Sequence, residues 1–390
     1  MAKLIDITGK ALSGEWGTDD EKGIGIPVLR TTNFTNEGVV DYTDVVTRII
    51  TKKNISEKYL KPGDIIIEKS GGSDKQPVGR VIYFNGPEKK YLFNNFTGLL
   101  RVKEPNKWFP KYVFYSLFGN YRRGGTLPFE NKTTGLHNLK TDDYVSRYEV
   151  KEAKYSKQIE ISEYLDKLYF IFKMRENELV ELDTLIKARF VELFGNVRNE
   201  DKYRGIPLRN LCTTMSGGTP STKYPEYYEG DIPWISTVSL GPNHIDGSTA
   251  KGFITQEAID NSATKLIPAG NILFGTRVGV GKSSLNDVDI CTNQDIVAIV
   301  GIDETKYNRL FIKHVLDSYQ SYYDSIKKGA TILGITGDDL KDTLIPDVPI
   351  GIQLEFEQFV EQVDKSKVVV QKALDETQKL FDSLMQEYFG

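Results

Sequence analysis

Gln158-Ile159-Glu160-Ile161 opens a stretch of sequence that ends in Phe194-Gly195, and Gln353-Leu354-Glu355-Phe356 opens a second one that ends in Phe389-Gly390. The two stretches align without a gap at a constant offset of 195, half of the 390-residue chain, and eight positions are identical. Self-similarity at a fixed offset is the signature of a duplicated unit. The chain is therefore predicted to consist of two related halves, each of which closes with one copy.

Both copies carry apolar residues at steps of three and four, the pattern of a helix with a narrow apolar seam. In the first copy the seam consists of Ile161, Leu165, Leu168, Phe172, Leu179, Leu182, Ile186 and Leu193. In the second copy it consists of Phe356, Val360, Val363, Val370, Leu374, Phe381, Leu384 and Tyr388, with Lys367 and Thr377 between them. A 3.5-residue repeat of this length is typical of a coiled coil. Where one copy breaks the seam, at Arg175, Arg189 or Lys367, the other copy is apolar, so we expect the two helices to pair. Two amphipathic helices buried separately in two domains are the alternative.

The composition limits the class of protein. With 390 residues and 39% hydrophobic residues the chain can bury two cores. It has no apolar run near the roughly 18 residues of a membrane span and starts with no signal peptide, so a soluble, cytoplasmic protein without membrane contact is expected. Cys212 and Cys291 are too few for a disulfide framework, and three scattered histidines do not suggest a metal site.

The charge is distributed unevenly along the chain. Residues 1–157 carry a net charge of +7, residues 196–352 carry −4, and the two helical copies together carry −7. A positive first domain fits a polyanion partner, whereas the second domain would need a local basic patch. The acidic helices are expected to face solvent or another protein.

The chain in order predicts four segments. Residues 1–157 contain short β-branched runs between turn signals and are predicted to form a strand-rich domain. The first helix is predicted over 158–195. Residues 196–352, a linker followed by a second domain, repeat the plan of the first with diverged loops, and the second helix is predicted over 353–390. The fold class is therefore α+β: two similar strand-rich mixed α/β domains and two long antiparallel coiled-coil helices.

No catalytic constellation is found. The glycine-rich run Gly275 to Ser283 resembles a phosphate-binding loop, but Thr276 replaces the required first glycine and no helix is predicted after it. A glycine hairpin that presents Arg277 and Lys282 is the simpler interpretation. Nucleophile elbows, zinc-protease motifs and dinucleotide fingerprints are also missing from the sequence. The chain is predicted to bind rather than to catalyse.

Several motifs together resemble the specificity subunit of type I restriction-modification systems. They are Ser216-Gly217-Gly218-Thr219-Pro220-Ser221, Ile232-Pro233-Trp234-Ile235-Ser236, Leu266-Ile267-Pro268-Ala269, Asn293-Gln294-Asp295 and the terminal helix. The first half matches more loosely, since Ser13-Gly14-Glu15-Trp16 stands where the second half has its Gly-Gly-Thr-Pro-Ser run. The resemblance covers the whole chain.

The resemblance implies a non-catalytic adaptor that reads double-stranded DNA. Two target recognition domains would each read one half of a bipartite site, and the helices would set the gap between the halves. Two modification subunits would dock on the chain, bring S-adenosylmethionine and methylate adenine, while this chain itself would hold no cofactor. Restriction subunits are a further partner that the family allows. Two alternatives stay open: the specificity subunit of a related type IIB-like system, and a repeat scaffold that binds only proteins.

Residues that could touch DNA are chosen by side-chain type and loop position, since base edges are read by Arg, Lys, Asn, Gln, Ser and Thr. In the first domain the candidates are Arg30, Thr31, Asn33, Lys69, Lys75, Arg80, Arg122, Arg123, Lys132 and Asn138. In the second domain they are Ser216, Thr219, Ser221, Lys223, Ser236, Thr237, Arg277, Lys282, Lys327, Lys328 and Thr331. Trp108 and Trp234 are expected to lie in the core.

Overall fold

A computed structural model of the chain describes residues 1–133, 136–199, 201–329 and 332–390. The chain forms two compact units. Unit 1 consists of Met1–Glu176 and Lys372–Gly390, and unit 2 consists of Asn177–Gln371. Within the described residues, no helix is both long enough and apolar enough to cross a membrane.

Unit 1 is rich in short strands. Its strands are β1 (Ala2–Lys3), β2 (Leu12–Ser13), β3 (Thr18–Asp19), β4 (Ile26–Leu29), β5 (Val46–Ile49), β6 (Asp64–Glu68), β7 (Ser70–Gly72), β8 (Val81–Phe84), β9 (Leu92–Phe93), β10 (Thr97–Leu100), β11 (Glu130–Thr133), β12 (Leu136–Leu139) and β13 (Glu149–Val150). Its helices are α1 (Leu4–Thr8), α2 (Pro110–Arg122), α3 (Thr141–Arg147) and the first part of α4 (Tyr155–Phe194). Helix α2 begins with Pro110, which suits the first turn of a helix, and it includes the predicted residue Arg122 at its end.

The strands of unit 1 form two larger sheets and two smaller ones. The larger sheets have the orders β2-β10-β6-β8 and β3-β5-β4-β9, and the smaller ones are β11-β12-β7 and β1-β13. Ile65 and Ile67 of β6 lie in a core shared with α2, whereas Ile66 lies in a second core on the opposite face. This alternation follows from the two-residue period of a strand and explains why β6 is apolar on both faces.

Unit 2 is also built from short strands and helices. Its strands are β14 (Gly205–Pro207), β15 (Thr213–Ser216), β16 (Ile232–Ile235), β17 (His244–Ile245), β18 (Gly252–Ile254), β19 (Ile272–Gly275), β20 (Ser283–Asn286), β21 (Cys291–Thr292), β22 (Ile296–Val300) and β23 (Leu344–Pro346). Its helices are α5 (Gln256–Asp260), α6 (Arg309–Ser318), α7 (Gln320–Ile326), α8 (Gly337–Lys341) and the first part of α9 (Ile350–Phe389). Because β20 follows the glycine-rich run directly, that run is a hairpin loop and not a phosphate-binding loop.

The two units share the topology of their main sheets. Unit 2 has the sheets β15-β22-β19-β20-β17, β18-β16-β21 and β14-β23, so that β15, β22, β19 and β20 correspond to β2, β10, β6 and β8 of unit 1. Even the single parallel pair of the second sheet is repeated: Val28 lies opposite Leu92 in unit 1, and Trp234 lies opposite Cys291 in unit 2. The predicted α+β duplication is confirmed.

The long helices begin slightly earlier than predicted. α4 starts at Tyr155 and α9 at Ile350, three residues before the predicted starts. Within unit 1 the side chain of Arg175 on α4 donates hydrogen bonds to Ala373 O and Thr377 Oγ1 on α9. The chain that precedes α4 meets the end of α9, where Lys151 Nζ lies 3.3 Å from Glu387 O. The two helical segments are therefore paired and antiparallel.

In unit 2 the same pairing is made by ion pairs at positions that interrupt the seam. Lys367 on α9 forms an ion pair with Asp183 on α4, and Arg189 on α4 forms one with Glu355 on α9. Every apolar seam position named above is buried or half-buried. The seam and the pairing predicted from it are confirmed, and the charged residues in it bond to the opposite helix.

A buried glutamine fixes the start of each long helix. In unit 1 Gln158 accepts a hydrogen bond from Phe109 N at 2.8 Å and donates to Lys107 O and Ala153 O at 3.1 and 2.9 Å. In unit 2 the equivalent Gln353 accepts from Asn308 N and donates to the carbonyls of Lys306 and Val348, at 2.8, 3.0 and 2.6 Å. Each side chain therefore bonds to backbone groups just before α2 or α6 and to a carbonyl just before the long helix itself, which explains one of the eight identities of the repeat.

Two glycines at equivalent positions allow a close approach between backbones. A Cβ atom at Gly14 would lie 2.1 Å from Asn94 O, and one at Gly217 would lie 2.1 Å from Asn293 O. Each position therefore requires the absence of a side chain. Ser13-Gly14 and Ser216-Gly217 are therefore the same structural element in the two units.

Unit 2 holds a histidine that is 12% exposed and packs into its core. The ring of His314 on α6 packs edge-on against Phe356, with 5.2 Å between ring centroids, and its Nε2 has no hydrogen-bond partner among the described residues. Burial, helped by the ammonium groups of Lys313 and Lys367, lowers the pKa of His314 well below its usual value. The carboxylate of Asp317, 3.8 Å from Nδ1, favours the charged form, but burial dominates.

This histidine predicts a pH dependence of the stability of unit 2. The unfolded chain takes up a proton near pH 6.5 and the folded chain does not, so stability falls as the pH drops below about 6.5 towards the folded pKa, by about 1.4 kcal/mol per pH unit. Urea unfolding between pH 5 and 7.5 measures this slope. His314→Leu should flatten it, and an equally steep slope in that variant would contradict the prediction.

Candidate nucleic-acid interface

The loops at one end of the central sheet of unit 1 bring several predicted residues together. Arg80 lies between β7 and β8 and forms an ion pair with Glu68 of β6 at 2.8 Å. Its guanidinium also donates to Thr31 O at 3.2 Å and Phe34 O at 3.1 Å. Lys69 Nζ lies 3.2 Å from Ser13 Oγ, and burial lowers the pKa of Lys69. Arg80 is therefore a structural cross-link, whereas Lys69 sits half-buried at the rim of the same loops.

Arg30 and Asn33 shape the adjoining loop. Asn33 is 1% exposed, accepts a hydrogen bond from Arg30 N at 2.8 Å, and donates to Asp41 O and Asp44 O at 2.9 and 3.0 Å. Arg30 forms an ion pair with Asp44 at 2.8 Å. Both side chains hold the short 3-10 turn Thr31–Asn33, in which the predicted residue Thr31 is half-buried and Thr32 is exposed.

The β11–β12 hairpin lies beside the same loops. Asn138 of β12 accepts a hydrogen bond from Ser70 Oγ of β7. Lys132 of β11 lies opposite His137 of β12, and its side chain is outside the described residues. Lys75, in the loop that follows β7, is exposed. Lys69, Lys75 and Asn138 thus share one end of unit 1.

Arg122 and Arg123 belong to a different part of unit 1. Arg122 on α2 forms an ion pair with Asp382 of α9 at 3.1 Å, and Arg123 donates to Phe389 O at 2.5 Å. These contacts attach α2 to the C-terminal helix. The structure does not bring these two arginines together with the loop residues above.

In unit 2 several of the predicted DNA-contacting residues lie around the turn Asn293-Gln294-Asp295. Thr219 donates a hydrogen bond to Gln294, and Arg277 lies 3.7 Å from Asp295. Ser216, at the end of β15, is exposed and immediately precedes the glycine that packs on this turn. Arg277 keeps half of its side chain exposed, which leaves the guanidinium able to meet a phosphate or a guanine edge.

The 3-10 turn after β16 contains two residues that were predicted to touch DNA, and the structure buries both of them. Ser236 and Thr237 are only 6% and 5% exposed, and Ser236 Oγ is buried without a partner among the described residues. Between Thr237 and Ser239 stands Val238, which is 85% exposed. A selection by polar side-chain type therefore chose the two inward-facing residues and missed the outward-facing aliphatic one, which no sequence pattern marked.

The remaining candidates of unit 2 lie on exposed loops. Ser221 and Lys223 follow the glycine turn, Lys282 closes the β19–β20 loop, and Lys328 lies on the loop after α7. Lys327 is paired with Asp324. Thr331 lies outside the described residues. Arg277, Lys282 and Lys328 give this end of unit 2 a local positive charge, which its net acidic composition conceals.

In each unit, loops at one end of the central sheet thus present hydrogen-bond donors and cations on a rigid frame. Such an arrangement can hold phosphates and read base edges. The choice of individual DNA-contacting residues stays a prediction.

The model of the type I restriction modification DNA specificity domain matches this chain twice, over residues 1–183 and 201–377. The chain belongs to this family. Each match begins before the strands of one half and ends within a long helix, so the family's domain is the unit that sequence and topology show to be duplicated.

Individual members of the family are more distant. The chain is 29% identical over 140 residues to the MjaIX specificity subunit of Methanocaldococcus jannaschii, covering 36% of this chain and 32% of that protein. It is 28% identical over 279 residues to the EcoR124I/EcoR124II specificity subunit of Escherichia coli, covering 67% of this chain and 64% of that one. The matches thus span about a third and just under two thirds of these relatives.

Solved structures share the fold. A chain from a structure of type I restriction-modification complex assembly and conformational transition has a TM-score of 0.61 at 14% identity, covering 100% of this chain and 96% of that one. The specificity subunit from M. genitalium has a TM-score of 0.56 at 13% identity, covering 100% and 95%.

Proposed function

We propose that this chain is the DNA sequence-specificity subunit of a type I restriction-modification complex, in which each unit reads one half of a bipartite site. The observation that carries the proposal is the double match of the specificity domain onto two units of one topology. The loops that diverge between the units lie where DNA would be read, which is where two different half-sites require different residues. In this proposal the chain itself is non-catalytic.

The surfaces of the long helices support docking of other proteins. Phe170 and Met174 on the unit 1 part of α4 are 63% and 55% exposed, and Val368 and Val369 on the unit 2 part of α9 are each 68% exposed. Phe170 and Met174 are four residues apart and therefore share one helix face. Such exposed apolar faces fit partner helices. The partners would be two modification subunits that bring S-adenosylmethionine, with restriction subunits as a possible addition.

A domain exchange tests the proposed function. Replacing residues 1–157 by those of a relative with a different site should change one half of the methylated sequence and leave the other half unchanged. Genome-wide mapping of methylated adenines in cells that carry either version measures this. The reciprocal exchange of residues 196–352 is the control and should change the opposite half. A change in both halves from one exchange would contradict the assignment of one half-site to each unit.

The proposal that the helices set the gap has a separate test. Removing seven residues from α4 and seven from α9 keeps the 3.5-residue seam in register, because seven residues are two turns. The preferred gap between the two half-sites should then become shorter, while the half-sites themselves stay the same. Methylation of a library of sites with different gaps measures the preference. An unchanged gap would remove this part of the proposal.

A further inference from the structure

Two loops of unit 2 are each closed by backbone hydrogen bonds. The β19–β20 loop is closed by a bond of 2.9 Å from Gly275 N to Lys282 O. The loop after α7 is closed by two bonds between Lys328 and Gly334, of 2.8 and 2.9 Å. The two ends of each loop are therefore held side by side.

The two loops lie edge to edge. Ile335 N donates to Thr276 O at 2.8 Å, which joins the end of one loop to the start of the other. A Cβ atom at Gly334 would lie 2.7 Å from Thr276 O and 3.0 Å from Arg277 Cγ, so the backbones touch without an intervening side chain. The loops form one surface, here called the paired-loop tip.

The paired-loop tip exposes aliphatic side chains. Val278 on the first loop is 55% exposed, and Ile332 and Leu333 on the second are 54% and 57% exposed. A single exposed aliphatic residue is ordinary on a protein surface. Three exposed aliphatic residues on two adjoining loops are typical of a contact surface.

Cations flank these aliphatic residues on both loops. Arg277 precedes Val278, Lys282 closes the same loop, and Lys328 closes the other. In the part of the chain that the structure describes, Lys282 and Lys328 form no ion pair. Exposed aliphatic residues beside cations match a polyanion that carries apolar groups. On DNA, the 5-methyl group of thymine is the apolar feature that a groove presents to a protein, and it lies in the major groove.

We propose that Val278, Ile332 and Leu333 are specificity-determining residues that contact thymine methyl groups in the half-site read by unit 2. This inference rests on the proposed DNA-reading function. In unit 1 the loop between β7 and β8 carries Ser73, Asp74, Lys75 and Gln76 instead. These polar side chains offer no aliphatic contact for a methyl group, so contact with thymine methyl groups by this loop is expected in unit 2 alone.

Deoxyuridine substitution tests the inference, because deoxyuridine differs from thymidine only by the missing methyl group. The complete complex with its modification subunits is titrated with duplexes in which each thymine of the mapped site is replaced in turn, at one fixed salt concentration. At least one replacement in the unit 2 half-site should weaken binding about fourfold, the effect of one buried methyl group. The triple variant V278S/I332S/L333S should bind the thymine and deoxyuridine duplexes equally.

Replacements in the unit 1 half-site are the internal control, since their effects should be the same for the wild-type chain and the triple variant. Lys328→Ala provides a second comparison: it should lower the salt slope by about one unit for every duplex and keep the deoxyuridine effect. Any of three results would overturn the inference. The unit 2 half-site could contain no thymine on either strand, or the wild-type complex could bind every deoxyuridine duplex of that half-site as tightly as the thymine duplex. The third result is that the triple variant still binds a deoxyuridine duplex more weakly than the thymine duplex. Failure of the wild-type complex to prefer any DNA sequence would overturn the proposed function as well.

Discussion

Arg80→Ala is expected to lower the free energy of unfolding of unit 1 by about 3–5 kcal/mol, because it leaves a buried carboxylate without its partner. The side chain of Glu68 is 1% exposed and that of Arg80 is 14% exposed, so water cannot replace the guanidinium. The same substitution also removes the donors to Thr31 O and Phe34 O. Urea unfolding followed by hydrogen exchange, which reports the two units separately, measures the loss.

The double variant R80M/E68M separates the ion pair from the other contacts. Because the uncompensated carboxylate is gone, most of the lost stability should return, and about 1–2 kcal/mol should remain for the two carbonyl groups. Lys75→Ala, at an exposed position of the neighbouring loop, should change stability by less than about 0.5 kcal/mol. If Arg80→Ala left stability intact but lowered the salt slope of DNA binding, Arg80 would be a phosphate contact instead of a cross-link.

The architecture could be predicted from the sequence because the same helical pattern occurs twice, once in each half of the chain. The seam of the helices is read from spacing alone, and an offset of 195 between two copies implies two similar domains whatever their internal fold. Even Arg175, which breaks the seam of its own helix, could be assigned to the pairing because the other copy is apolar there. These inferences hold because helix periodicity and repetition are visible in one dimension.

The candidate site could be predicted only in outline. Asn33, Arg80, Ser236 and Thr237 have the side chains that DNA readers use, yet the structure buries or cross-links all four. Their partners, such as Glu68 and Asp44, are distant in sequence, so no local pattern reveals them. Val238 is the opposite case: it is aliphatic and was not predicted to touch DNA, yet it is exposed, because its place in the turn and not its residue type determines its exposure.

Phe356→Ala is expected to destabilise unit 2 by about 3–5 kcal/mol, the cost of a cavity left by a deleted core aromatic ring. Phe356 on α9 is 0% exposed. Its ring lies 5.5 Å from that of Phe190 and 5.4 Å from that of Phe194, both on α4, and Phe194 lies 4.7 Å from Phe311 on α6. The cluster therefore joins three helices, and the neighbouring rings cannot close the cavity without moving one of them.

The equivalent position in unit 1 is the aliphatic Ile161, which is 3% exposed, so the frame accepts an aliphatic side chain here when its surroundings are matched. Phe356→Leu should consequently cost less than Phe356→Ala. Val368→Ala, on an exposed turn of the same helix, is the control and should have an effect within about 0.5 kcal/mol. Hydrogen exchange should show the loss in β19 and β22, whose core residues Ile272 and Ile299 belong to the same cluster. Protection unchanged in these strands would mean that the long helices are not part of the core of unit 2.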